Sequence, residues 1–215
     1  MMFDMRTLAV MAAVFVITYL LGSLNFAVIV SRLLYHDDVR SYGSGNAGMT
    51  NMLRTYGKKA AFLTGLGDFS KGMASVLIGR LLFAALGIDD FDGGYIGAVG
   101  VLLGHLFPLY FHFKGGKGIL AITGAILLLN PDIFAILFVC FVPIAFITRI
   151  VSLASVTGAM AYPILVYIKC RIIGRPPTLD VVFSIACVAI ILYMHRESSR
   201  RLLNGTEKKI GEGKK

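Results

Sequence analysis

Tryptophan is absent from the 215 residues, cysteine occurs three times and proline six. Charged side chains are scarce too, at 15%, where soluble domains carry about 25%. Each shortage excludes something. Without tryptophan, any side-chain belt at a membrane interface rests on Tyr, Lys and Arg. Cys140, Cys170 and Cys187 lie in or beside apolar runs with no CxxC pair. They are read as buried apolar thiols, with no disulfide framework and no zinc site. No His, Asp and Glu cluster has metal spacing, so no metal or other cofactor is expected.

Hydrophobic residues make up 57%. A soluble core in so short a chain could not hide that much apolar surface, whereas a bilayer takes about 20 apolar residues per crossing helix. The chain is therefore read as an all-α integral membrane protein. Its net charge of +9 points to cytoplasmic loops and anionic lipid headgroups, not to nucleic acid.

Apolar runs over roughly 7–34, 60–87, 94–113, 117–129, 131–148, 151–173 and 179–194 predict about seven transmembrane helices. The first is overlong and is expected to bend or to lie partly at the interface. It extends far past the length of a signal-peptide core and lacks a small-residue cleavage site, so it is kept as a membrane helix. The fourth is short, and Asn130-Pro131 separates it sharply from the fifth, as a partial or re-entrant helix would be. Residues 1–203 are read as one transmembrane domain and 204–215 as a basic, polar, loosely ordered cytoplasmic tail.

Charge sets the orientation. Arg40, Arg54, Lys58 and Lys59, then Lys114 and Lys117, then Arg196, Arg200, Arg201, Lys208, Lys209, Lys214 and Lys215 fall on one side of a seven-span alternation. Asp89, Asp90 and Asp92 fall on the other. The rule that positive loops stay inside puts the N-terminus outside and the C-terminus in the cytoplasm. Lys169, Arg171 and Arg175 dissent.

Several polar segments do not suit a lipid-facing helix. Ser44-Gly45-Asn46-Ala47-Gly48-Met49-Thr50-Asn51-Met52-Leu53-Arg54 combines turn-forming glycines, small donors and a guanidinium fork, chemistry that suits phosphate or a developing negative charge. Asp68 and Lys71 share a helix face inside an apolar run, a costly pair that belongs at a polar cavity or interface. Gly104-His105-Leu106-Phe107-Pro108 precedes Phe113-Lys114-Gly115-Gly116-Lys117-Gly118. There, glycine N–H groups, a helix start and two ammonium groups make a ready anion site. It is not a Walker A loop, since the GxxxxGK spacing is missing and no Ser or Thr follows Lys117. Arg149, Ser152 and His195 sit at turns that the alternation puts on the cytoplasmic side. A compact bundle would gather these segments around a substrate with a phosphate head and a lipid-like body.

Taken in order, these segments resemble the acyl-phosphate-dependent glycerol-3-phosphate acyltransferases of bacterial membranes. The resemblance rests on Gly22-Ser23, the stretch 44–54, Asp68 to Gly72, residues 104–118, and His195 with Arg201-Leu202-Leu203-Asn204-Gly205-Thr206-Glu207. It implies seven transmembrane helices in the bacterial inner membrane, with the motifs on the cytoplasmic side. It also implies acyl transfer from acyl phosphate to the 1-hydroxyl of glycerol 3-phosphate, giving 1-acyl-glycerol 3-phosphate and phosphate, the first acylation of phospholipid synthesis. Ser44, Asn46 and Arg54 would contact the phosphate or the reacting carbonyl, beside Gly45, Thr50 and Asn51. Lys114, Gly115, Gly116, Lys117 and Gly118 would hold phosphate. Ser152, His195 and Ser198 would bind glycerol 3-phosphate, and Asp68, Lys71 and His105 would complete the substrate-binding set. Three positions depart from the family pattern: Ser198 replaces Asn, Asn25 stands where Pro is common, and Ile119-Leu120-Ala121 replaces Val-Ala-Thr.

Acyl phosphate has a good leaving group, so positioning and charge stabilisation suffice without an obligatory base. The HxxxxD box of other glycerolipid acyltransferases is missing, because Ser41, Tyr110, Lys117 and Arg200 stand five residues after the four histidines. A transporter or binding protein for an organic phosphate anion, or a lipid phosphatase, would use similar anion loops. The polar segments lie at one membrane face, however, and no transporter-type repeat is visible.

Overall fold

The computed structural model describes residues 4–211. Among these, every regular element is helical. The overlong first run divides into α1 (Met5–Ser23) and α2 (Phe26–Tyr35). The break follows from Asn25, which is extended and whose side chain accepts from the Val28 N–H at 3.2 Å. A capping amide inside an apolar run starts a new helix where proline would also have interrupted the old one.

α3 (Met49–Tyr56) and α4 (Lys58–Ala85) are divided by Gly57 at φ 89°. α5 (Gly94–Leu106) leads into a single 3-10 turn at Leu109–Phe111, and α6 (Ile119–Leu129) closes the first of two compact units. The second unit starts at Asn130 and contains α7 (Pro131–Thr148), α8 (Val151–Ile172), α9 (Thr178–Met194) and α10 (Arg196–Leu203).

Close backbone contact holds the first unit together. A Cβ added at Gly104 or Gly100 of α5 would collide with α1, and one at Gly72 of α4 would collide with the Ala121 carbonyl of α6. In lipid, apolar side chains gain little by burial against one another, so small residues that let helix backbones meet supply the packing. In the second unit, α7 shows the solvent these helices face. Of its 18 residues only Ile133 is buried, and Phe146 and Ile147 are 82% and 79% exposed. An apolar surface so complete belongs in lipid.

Four helical stretches among the described residues are long and apolar enough to cross a membrane: Met5–Tyr35, Gly94–Phe111, Pro131–Thr148 and Val151–Ile172. A fifth is added if α9 and α10, bent by 66°, count as one. α4 has the length, with 28 residues, but carries Lys58, Lys59, Asp68, Lys71 and Arg80. α6 has only 11 residues, matching its expected shortness.

Three expectations are corrected. The segment between the first two spans, read as a loop, contains α3, an eight-residue amphipathic helix. Cys140 is exposed on α7, whereas Cys170 and Cys187 are buried. Residues 204–211, expected to be loosely ordered, are anchored, because the Ile210 N–H donates to the Arg149 carbonyl at 2.7 Å and Glu207 is bonded on both oxygens; the rest of the expected tail, 212–215, lies outside the described residues.

Candidate active site

The first anion-binding segment is shaped by Asn51. Buried at the start of α3, its amide donates to the carbonyls of Val39 and Tyr42, each at 3.0 Å. Its Oδ1 accepts from the Ser44 N–H at 3.0 Å. One side chain thus folds the loop back on itself, with Gly43 and Gly45 at φ 61° and 70° where L side chains are strained. The result leaves Ser44 and Gly45 exposed and Asn46, Thr50 and Arg54 partly exposed. Asn51 therefore acts as the frame of the loop.

The glycine–lysine segment runs without regular structure from the 3-10 turn to α6. The N–H groups of Gly115 and Gly116 donate to the carbonyls of Leu106 and His105, both at 3.2 Å. Those two donors are thus committed to the end of α5. Gly116 is required for close approach, since a Cβ there would meet both His105 Nε2 and the Ala47 carbonyl oxygen closer than 3.0 Å. Ala47 belongs to the Ser44–Gly48 loop, so two segments about seventy residues apart touch backbone to backbone. Lys114 is exposed, Lys117 partly so, and Gly118 is buried at φ 80°.

Beneath the glycine–lysine segment lies a buried charge cluster. Lys71 Nζ is 3.0 Å from Asp68 Oδ1, and His105 Nδ1 is 3.4 Å from the same oxygen. All three side chains are at most 3% exposed. Lys71 also donates to the carbonyls of Gly22 and Leu24 at 2.9 and 2.7 Å, groups that the α1–α2 break leaves without helical donors. These side chains are occupied with one another and with the backbone, an arrangement that fits a supporting role better than substrate contact.

In the second unit, Ser152 donates to Glu207 Oε1 at 2.8 Å. Arg201 Nε donates to Glu207 Oε2 at 2.6 Å, and its Nη2 donates to Ser198 Oγ at 2.9 Å. Ser152 and Ser198 are therefore ends of one chain of bonds that passes through Glu207 and Arg201. Ser198 lies one turn beyond His195, which is buried and whose Nδ1 bonds the Ile191 carbonyl at 2.9 Å. A carbonyl only accepts, so the proton sits on Nδ1.

The model of the glycerol-3-phosphate acyltransferase family matches residues 12–205. The chain belongs to that family. A glycerol-3-phosphate acyltransferase of Clostridioides difficile (strain 630) is 40% identical over 199 residues, 93% of this chain and 95% of the relative. One from Coxiella burnetii (strain CbuG_Q212) is 43% identical over 196 residues, 91% of this chain and 95% of the relative. The crystal structure of PlsY (YgiH), an integral membrane glycerol 3-phosphate acyltransferase, in its glycerol 3-phosphate form superposes with a TM-score of 0.82 at 33% identity, covering 94% of this chain and 96% of that one. Its lysophosphatidic acid form gives a TM-score of 0.78 at 32% identity, covering 94% and 95%.

Sequence reasoning passed over two parts of this acyltransferase's polar framework. Glu207 closed the stretch that carries the family resemblance but was given no role, yet it is the acceptor that joins Ser152 to Arg201. An acid flanked by Thr206 and Lys208 and six residues from Arg201 was the available signal. Arg40 counted only as a loop charge, and Asp38 drew no reading. Their two-residue spacing permits a pair, but which backbone the pair would grip is not visible in one dimension.

Proposed function

We propose that the chain transfers a fatty acyl group from acyl phosphate to the 1-hydroxyl of glycerol 3-phosphate, releasing 1-acyl-glycerol 3-phosphate and phosphate. The observation that carries this reading is the backbone contact between the Ser44–Gly48 loop and the glycine–lysine segment at Ala47 and Gly116. It joins two donor-rich segments of a family whose named members act on glycerol 3-phosphate.

In this reading Lys114, Lys117 and Gly118, with the helix start of α6, hold the phosphate of the donor. Ser44, Asn46, Thr50 and Arg54 stabilise charge on the carbonyl oxygen and phosphate. Ser152, His195 and Ser198 bind glycerol 3-phosphate. The 1-hydroxyl oxygen attacks the acyl carbon, the bond to phosphate breaks, and the hydroxyl proton leaves on the departing phosphate. No side chain is an obligatory base, because the leaving group is already good. Asp68, Lys71 and His105 position the segment above them.

The reading extends to seven crossings in the bacterial inner membrane, with the motifs and C-terminus cytoplasmic. At about 1.5 Å per residue, α4 is about 42 Å long, enough for a crossing of about 30 Å, whereas α6 at about 16 Å reaches only part-way. The charge of Lys169, which opposed this orientation, is paired with Asp132 at 2.7 Å and also bonds Asn130.

The test is turnover by the purified protein in detergent, following phosphate and lysolipid together, with acyl-CoA as a parallel donor. With glycerol 3-phosphate as acceptor, equal release of both products from acyl phosphate and none from acyl-CoA, abolished by Lys117→Ala, is expected. Phosphate without lysolipid would make the chain a phosphatase. Saturable anion binding without turnover would make it a carrier.

A further inference from the structure

The segment that presents Lys114 and Lys117 leaves the 3-10 turn through two consecutive residues in the left-handed region, His112 at φ 56° and Phe113 at φ 57°. Neither is glycine, and side chains resist that conformation. Such a turn persists only where its surroundings fix it from several directions. Two carbonyls bracket it, those of Phe111 and Lys114, and one side chain takes both. Arg40 Nη1 donates to Phe111 O at 3.0 Å and to Lys114 O at 2.9 Å.

Arg40 is in turn fixed by Asp38. Its Nε donates to Asp38 Oδ1 at 2.9 Å and its Nη2 to Asp38 Oδ2 at 2.7 Å, a two-pronged grip. Arg32 adds a third contact to Asp38 at 3.1 Å and lies 5.5 Å over the Phe111 ring. Arg40 is only 18% exposed, so the guanidinium is held between the two segments. Lysine could not reproduce this, since it lacks the planar fork.

We propose that Arg40, oriented by Asp38, is a positioning residue for the reaction. By clamping the His112–Phe113 turn it fixes where Lys114 and Lys117 meet the phosphate of the acyl donor. The role rests on the acyl-transfer reading above and deepens it.

Steady-state kinetics of Arg40→Gln in detergent is the test, with both substrates varied. A displaced loop weakens donor binding, so KM for acyl phosphate should rise about 10-fold or more while kcat changes less than about threefold. A residue that merely helps the protein fold would lower the active fraction, which reduces apparent kcat and leaves KM alone. The effect should also be non-additive. In a Lys114→Ala background Arg40→Gln should cost less than about threefold, because both act through one segment. An unchanged KM, or full additivity, overturns the proposal. If Arg40→Gln fails to fold, Asp38→Asn and Arg40→Lys must raise KM in the same direction, and a KM unchanged in both overturns it. Wild-type protein that forms no lysolipid sinks the acyl-transfer reading alone. The clamp is then judged on inorganic phosphate binding, which Arg40→Gln must weaken about tenfold for the proposal to stand.

Discussion

Gly116→Ala should disable the enzyme without unfolding it. The added Cβ would stand closer than 3.0 Å to two atoms, the carbonyl oxygen of Ala47 and Nε2 of His105. Neither is the loose end of a flexible side chain. Ala47 is backbone inside the Asn51-framed loop, and His105 is 3% exposed against Asp68. Ordinary van der Waals contact begins at 3.4 Å, so relief requires the two segments to separate by about 1 Å. A displacement of that size in a positioning element costs about 10²-fold in rate, or about 2.7 kcal/mol of transition-state stabilisation. The assay is kcat/KM for lysolipid formation in detergent, alongside the melting midpoint. Gly158→Ala in α8 is the control. Nothing lies within 4 Å of a Cβ there, and it should keep wild-type kinetics. Wild-type kcat/KM in Gly116→Ala would refute the claim that contact between the two segments sets the geometry of the reaction.

Lys71→Met should destabilise the protein by about 3–5 kcal/mol, the cost of leaving Asp68 buried without its partner. Adding Asp68→Asn should recover part of that loss, and an unchanged midpoint in Lys71→Met would refute it. Arg40 holds the Asp38 carboxyl well below the usual carboxylate range. Because the folded value is the lower one, the stabilisation is fully present above about pH 3.9 and is lost as pH falls below that. The difference in melting midpoint between wild type and Asp38→Asn should therefore be flat from neutral pH to about pH 5 and shrink only in stronger acid, as a pH series of melting curves would show.

Much of the helical layout was legible because lipid imposes long apolar runs. The expected span 131–148 coincides with α7, whose start is written in Asn130-Pro131. The bend in the first run was expected, and Asn25 supplies it. α3 was missed although Met49, Met52, Leu53 and Tyr56 stand at i, i+3, i+4 and i+7, because eight residues between glycines are too short to stand out and depend on the buried amide of Asn51. Residue type marked the candidates, but not which of them are bonded to one another. Asn51 looks like a ligand in sequence, and its side chain is bonded to the loop backbone at Val39, Tyr42 and Ser44. Gly115 looks like a donor and has its N–H committed to Leu106. Spacing tells which groups are present, whereas contacts seventy residues apart decide which of them remain available to a substrate.

The bonds from Lys71 to the carbonyls of Gly22 and Leu24 also order events during biosynthesis. When the first apolar stretch enters the membrane, the interruption at Leu24 leaves carbonyl oxygens that no group within that stretch satisfies. Bare backbone acceptors in hydrocarbon cost several kcal/mol each. Their donor is encoded about fifty residues later, on α4, and it reaches them carrying its own counter-ion at Asp68. The leading segment is therefore incomplete as an independent insertion unit. It matures only when α4 docks against it, so a nascent chain stalled before Lys71 should expose a site for membrane chaperones or quality-control proteases that the finished protein conceals.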